Sequence, residues 1–185
     1  MRRTSVVRAL LVAASCAGCG KHDRAASEDQ PAPSASVVTL GAGLGTCDDV
    51  ATCARECDAG SADRCRRLAA TYAFGRGAER DEARATALYE LSCAMKDAPG
   101  CIFAGQMYEY AHGVAKDDEK AARYYEQACD MGSQAGCYNL GIMYENGRGV
   151  PRDRAKAGDL YQAACTAGAK TACDKAKQMR SGSGP

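Results

Sequence analysis

The sequence predicts an all-α protein, a solenoid of helix-turn-helix repeats stapled by disulfides. Three observations predict it. Four cysteine pairs, Cys57 and Cys65, Cys93 and Cys101, Cys129 and Cys137, Cys165 and Cys173, each read C-x7-C and recur every 36 residues. A fixed period of about 20 to 50 residues marks supersecondary units stacked side by side. Between the cysteines, apolar and small residues fall at i, i+3, i+4 and i+7, the stripe of an amphipathic helix. Between the stripes, glycines and an aspartate stand where one helix must stop and the next begin.

At the N-terminus, Met1, Arg2, Arg3 and Arg8 form a positive n-region, Ala9 to Ser15 is a short apolar run, and small residues come next, the pattern of an export signal. The run is too short to span a bilayer, which takes about 20 apolar residues. Together with Cys16 and Cys19, this segment resembles a bacterial lipoprotein signal, in which a cysteine is lipidated and becomes the first mature residue. Cys19 is the expected anchor, because loss of residues 1–18 then leaves ten other cysteines, an even number. With Cys16 as the anchor, Cys19 is left odd. An ordinary secretory signal, giving a soluble exported protein, is the alternative. Residues 19–45 are rich in Lys, Asp, Ser, Ala, Pro and Gly; such a stretch buries too little surface to offset its conformational entropy and is expected to be a disordered tether.

Residues 46–58 read as a capping half-repeat, a helix that begins near Thr46 with Asp48 and Asp49 in its first turn, where acids complement the positive helix end. The repeat domain covers 59–180. The first helix of each unit carries Cys65, Leu68, Ala69 and Tyr72, then Cys101, Ala104, Gly105 and Tyr108, then Cys137, Leu140, Gly141 and Tyr144. Ala69, Gly105 and Gly141 keep one place small, so a neighbouring helix can come close. Turns come next at Gly75–Gly77, Ala111–Gly113 and Gly147–Gly149. Asp81, Asp117 and Asp153 are then expected to cap the second helices, which carry Tyr89, Tyr125 and Tyr161 and end just past the next cysteine. Residues 181–185 read as a disordered tail.

Gly60, Gly132 and Gly168, with Lys96 in the equivalent place of unit two, put a helix stop inside each C-x7-C. The two cysteines of a pair therefore belong to consecutive helices, and a bridge between them rivets the shared corner. The pairs Cys57–Cys65, Cys93–Cys101, Cys129–Cys137 and Cys165–Cys173 are expected, in an oxidising compartment. Structural zinc, the rival reading, wants close C-x2-4-C knuckles and an intracellular setting. Cys47 and Cys53 are left. Six residues apart on one helix they would stand about 9 Å apart along its axis, so they bridge only if Cys47 precedes the helix and folds back over its first turn; that bridge, Cys47–Cys53, is expected.

The turn and second helix of unit three, GRGVPRDRAKAGDLYQAAC, closely resemble the Sel1-like repeat, a relative of the tetratricopeptide repeat. With C-x7-C in every unit, the chain resembles the cysteine-rich secreted Sel1-like proteins of bacteria over residues 57–173. The resemblance implies a right-handed α/α solenoid. Unit one departs from the pattern at Ala78, and unit two at Lys96 and Ala111.

For function the sequence is less explicit. The net charge of +1 becomes −2 once residues 1–18 are removed, and no basic stripe interleaved with aromatics points to nucleic acid. His22 and His112 are the only histidines, which argues against His-based triads and most metal sites. Relatives in the resembled family bind or weakly hydrolyse β-lactams, but Ser-x-x-Lys, Ser-Asp-Asn and Lys-Thr-Gly do not occur. No catalytic residue, metal ligand or cofactor site is assigned. The expectation is a non-enzymatic scaffold, exported to the periplasm or cell surface, held to the membrane by an N-terminal lipid and binding an envelope protein or peptide on the curved face that stacked helix pairs create. A weak β-lactamase or penicillin-binding activity is the alternative. Arg76, Arg148, Arg152 and Tyr110 are candidate contact residues that a solvated face explains equally well.

Overall fold

A computed structural model describes residues 47–181. The segment 1–18 expected to be a signal, with Cys16, the expected tether 19–45, with Cys19, and residues 182–185 lie outside the described residues. Every regular element within them is an α-helix: α1 Val50–Asp58, α2 Ala62–Phe74, α3 Glu82–Ala94, α4 Ala98–Glu109, α5 Asp118–Asp130, α6 Gln134–Asn146, α7 Arg154–Thr166 and α8 Lys170–Arg180. Each helix packs mainly on the one before and the one after it, as repeats that cannot bury a face alone must do.

Capping residues set the boundaries. The carboxylates of Asp81, Asp117 and Asp153 accept from the amides of Arg84, Lys120 and Lys156 at 2.9, 2.8 and 2.9 Å, taking up donors that the first helical turn leaves orphaned. The first helix corrects the sequence expectation. It starts at Val50 rather than near Thr46, with Asp49 as its cap accepting from Ala51 and Thr52 at 3.2 and 3.0 Å. Cys47 is drawn off the helical path because its amide donates to the Thr71 hydroxyl at 3.0 Å.

Tyrosines at one repeating place fill the centre of the array. Tyr89, Tyr125 and Tyr161 are the largest fully buried side chains, and most other core residues are Ala, Cys, Leu or Met. The small-residue place explains how the rings fit: a Cβ added to Gly105 or Gly141 would lie 2.7 Å from the ring of Tyr125 or Tyr161.

Unit two carries local strain. Lys96 and Ala111 hold positive φ, 68° and 59°, where the other units place glycine. A non-glycine residue there costs about 1 kcal/mol. Lys96→Gly is therefore expected to stabilise the protein by about 0.5–1 kcal/mol, read as a higher urea midpoint with an unchanged slope. A lower midpoint would show that the lysine contributes something its exposed backbone does not reveal.

Candidate functional site

The cysteines come together at the corners. Disulfides join Cys57–Cys65, Cys93–Cys101, Cys129–Cys137 and Cys165–Cys173 with Cα atoms 4.6, 4.5, 4.5 and 4.7 Å apart. Each ties the last turn of one helix to the first turn of the next. A fifth bridge, Cys47–Cys53, spans 6.1 Å between Cα atoms and folds the chain before α1 back over its first turns. Among the described residues, no group of three or more His, Cys, Asp or Glu side chains is placed to hold a metal ion. No helix among them is long and apolar enough to cross a membrane.

Besides a larger, charge-lined hollow of about 680 Å³ around residues 79–84, the stapled frame presents a cleft of about 430 Å³ between α2 and α4. Phe74 and Ala73 at the end of α2, Phe103 and Tyr110 of α4 and its cap, and Tyr89 of α3 line it, with Arg80, Glu82 and His112 at one side. Among the described residues, the large hydrophobic side chains that are exposed are Phe74, Leu91, Phe103 and Tyr110, and three of the four meet here. Scattered exposed apolar residues are ordinary, whereas a convergent group marks an interaction site. Tyr89 stacks on Phe103 with centroids 5.0 Å apart, and the Arg76 guanidinium lies 5.6 Å from the Phe74 ring.

The repeat shows what is unusual about this cleft. One period on, Ala73, Tyr89 and His112 become Glu109, Tyr125 and Arg148. There the Tyr125 hydroxyl donates to Glu109 at 2.6 Å and Arg148 pairs with the same carboxylate at 2.8 Å. The equivalent space shrinks to about 130 Å³. A further period on, the Tyr161 hydroxyl donates to Glu145 at 2.6 Å and Lys175 lies 3.1 Å from that carboxylate. Burial alone would raise the Glu145 carboxyl, but the bonds from Tyr161 and Lys175 hold it below the usual carboxylate range. Tyr161 and Tyr125 are pushed far up, first by burial and then by the carboxylate each faces. In unit one no carboxylate stands at that place, and the Tyr89 hydroxyl, on a side chain 2% exposed, has no hydrogen-bond partner among the described residues. Burial raises Tyr89 to about 12.

A polar cluster around Glu90 is internally satisfied. Glu90 accepts from Tyr108 and Tyr124 at 2.8 and 2.7 Å and pairs with Lys120 at 2.9 Å; these bonds outweigh its burial and keep its carboxyl low.

Of the candidate contact residues named from sequence, Tyr110 lines the cleft and Arg76 lies over the Phe74 ring, while Arg148 is engaged by Glu109 and Arg152 donates to the Glu145 carbonyl at 3.0 Å. Sequence reasoning misses Phe74, Phe103 and Tyr89 as site residues. Two signals point to them: Phe74 and Phe103 are the chain's only phenylalanines, and Ala73 interrupts a column that otherwise reads Glu in the repeats.

Helix pairs of fixed period, riveted at each corner and packed in sequence, define a disulfide-stapled helical-repeat protein. The Sel1 repeat family matches residues 65–97, 98–133 and 134–168, more than half of the chain, and the protein belongs to that family. Among solved structures, a Sel1 repeat protein from Oxalobacter formigenes is 27% identical with a TM-score of 0.65, covering 70% of this chain and 98% of its own. Helicobacter pylori cysteine-rich protein B is 26% identical with a TM-score of 0.56, covering 72% of this chain and 98% of its own. A protective antigen present in uropathogenic Escherichia coli strains shares the fold at 23% identity and a TM-score of 0.69; the match covers 72% of this chain and 29% of that longer one. No match is found among curated proteins.

Proposed function

We propose that the chain is an exported, lipid-anchored and non-enzymatic interaction scaffold that holds an envelope protein or peptide in the cleft between α2 and α4. The observation that carries this reading is the convergence of Phe74, Phe103 and Tyr110, all exposed, on one cleft of a covalently braced frame. Five bridges in so short an array suit an oxidising compartment, and the N-terminal signal with Cys19 supports export and anchoring. A braced frame loses little conformational entropy on binding, which favours affinity from a small contact area.

The test is a pull-down from envelope extracts with the oxidised array, against a reduced and alkylated control. A partner retained only by the oxidised form, and lost with Phe74→Ala together with Phe103→Ala, is the expected result. Recovery of the same proteins by both forms, or of none, would sink the reading. Nitrocefin turnover that survives purification, and that a single substitution abolishes, would replace it with an enzyme.

A further inference from the structure

We propose that the cleft reads a glutamate. The side-chain carboxylate of a bound peptide takes the place that Glu109 and Glu145 hold at the next two junctions, and an apolar residue beside it packs on Phe74, Phe103 and Tyr110. This deepens the scaffold reading above and rests on it.

The repeat makes the first junction the exception. At two of three successive junctions, the hydroxyl of a buried tyrosine donates to a carboxylate that also meets a cation. At the first junction the tyrosine is kept as Tyr89, on a buried side chain, but its acceptor is replaced by Ala73, and both residues line an open cleft. Among the described residues, no protein group accepts from the Tyr89 hydroxyl at this cleft, so a ligand oxygen reaching it takes up a donor that they leave unused. Burial holds the Tyr89 hydroxyl protonated well above neutral pH, so it acts there as a donor. It suits a carboxylate, because hydrogen bonds to an ionised acceptor are about twice as strong as neutral ones.

The surrounding charges agree. Arg80 and His112 line the cleft, and the Arg76 guanidinium lies 5.6 Å from the ring of Phe74, one of its lining residues. Glu82 is the one acid in the lining; it pairs with the Arg80 guanidinium and lies 3.5 Å from His112 Nδ1, so the lining carries no uncompensated negative charge. Lys175, the cation that Glu145 meets, corresponds two periods back to Phe103. The first junction therefore exchanges part of its internal polar pairing for an aromatic wall, as a site for an amphipathic ligand requires.

The test compares acetyl-Phe-Glu-Phe-amide with acetyl-Phe-Gln-Phe-amide, titrated into the ¹⁵N-labelled oxidised chain and followed by amide chemical shifts. The glutamate peptide is expected to bind about ten-fold more tightly, with shifts centred on Ala73, Tyr89, Phe103 and His112. Ala73→Glu lets the protein supply its own carboxylate, as units two and three do, and should abolish that preference while the helical spectrum is kept. Tyr89→Phe should weaken the glutamate peptide about ten-fold and leave the glutamine peptide nearly unchanged; this arm decides the matter if Ala73→Glu fails to fold. Equal affinities for the two peptides, or a preference that both variants retain, would overturn the proposal. So would shifts of the same amides with protein concentration alone, which would give the cleft to a second copy of the chain. Glutamate selectivity without any partner in the envelope pull-down would leave the pocket standing and remove the scaffold; a captured partner indifferent to Ala73→Glu would do the reverse.

Discussion

Reduction of the bridges is expected to unfold the array at neutral pH without denaturant. Each of the four corner disulfides closes a loop with a sequence separation of 8. On the loop-entropy model such a bridge contributes about 2–3 kcal/mol, so four contribute about 10 kcal/mol. Whole domains are stable by about 5–15 kcal/mol. The core offers little to replace that contribution, since beyond three tyrosines its largest fully buried side chain is Met143. Excess dithiothreitol should remove most of the helical signal in far-ultraviolet circular dichroism, and reoxidation should restore it. Replacing one pair, Cys129 and Cys137, by serines should cost about 2–3 kcal/mol, read from the urea midpoint. A reduced chain that stayed helical with an undiminished midpoint would show that side-chain packing alone holds the helices together.

The second large effect is expected at Gly149. The turn of unit three lies against the start of α5 so closely that an added Cβ would stand 2.1 Å from the Asp118 carbonyl oxygen and 2.2 Å from its carbon, at a φ of +65°. Backbone cannot yield as a flexible side chain can. Gly149→Ala combines the left-handed conformation, about 1–2 kcal/mol, with displacement of packed backbone, about 1–3 kcal/mol, for roughly 3 kcal/mol in all. Gly77→Ala supplies the comparison: its φ is +84° but nothing lies within 4 Å of the added atom, so only the conformational cost of about 1–2 kcal/mol remains. Similar losses for the two variants would show that the third unit does not depend on this close approach.

Much of the fold is legible in the sequence because a repeat displays each structural need several times. The aspartate caps, the left-handed stops and the small place opposite each tyrosine recur in step with the cysteines, so one unit explains the others. The start of α1 is less legible, since Asp48 and Asp49 are both capable caps and only the contact between Cys47 and Thr71, distant in sequence, decides between them. The cleft stays hidden for a different reason. Its clearest sign in the sequence is what unit one leaves out, an acid at Ala73, together with two phenylalanines, Phe74 and Phe103, that occupy different places in their units. An amphipathic stripe says which face of a helix is buried; it does not say that two neighbouring stripes fail to close over a tyrosine.

The corner bridges also bear on how the molecule is made. The ten cysteines among the described residues admit hundreds of pairings, most of them joining remote parts of a chain, yet each of these sulfurs meets its next neighbour in sequence. With export as proposed, a hairpin can be oxidised as soon as it emerges on the outer side of a membrane, before the rest has crossed. Maturation in this arrangement needs an oxidant, and makes little demand on an isomerase to undo mistakes.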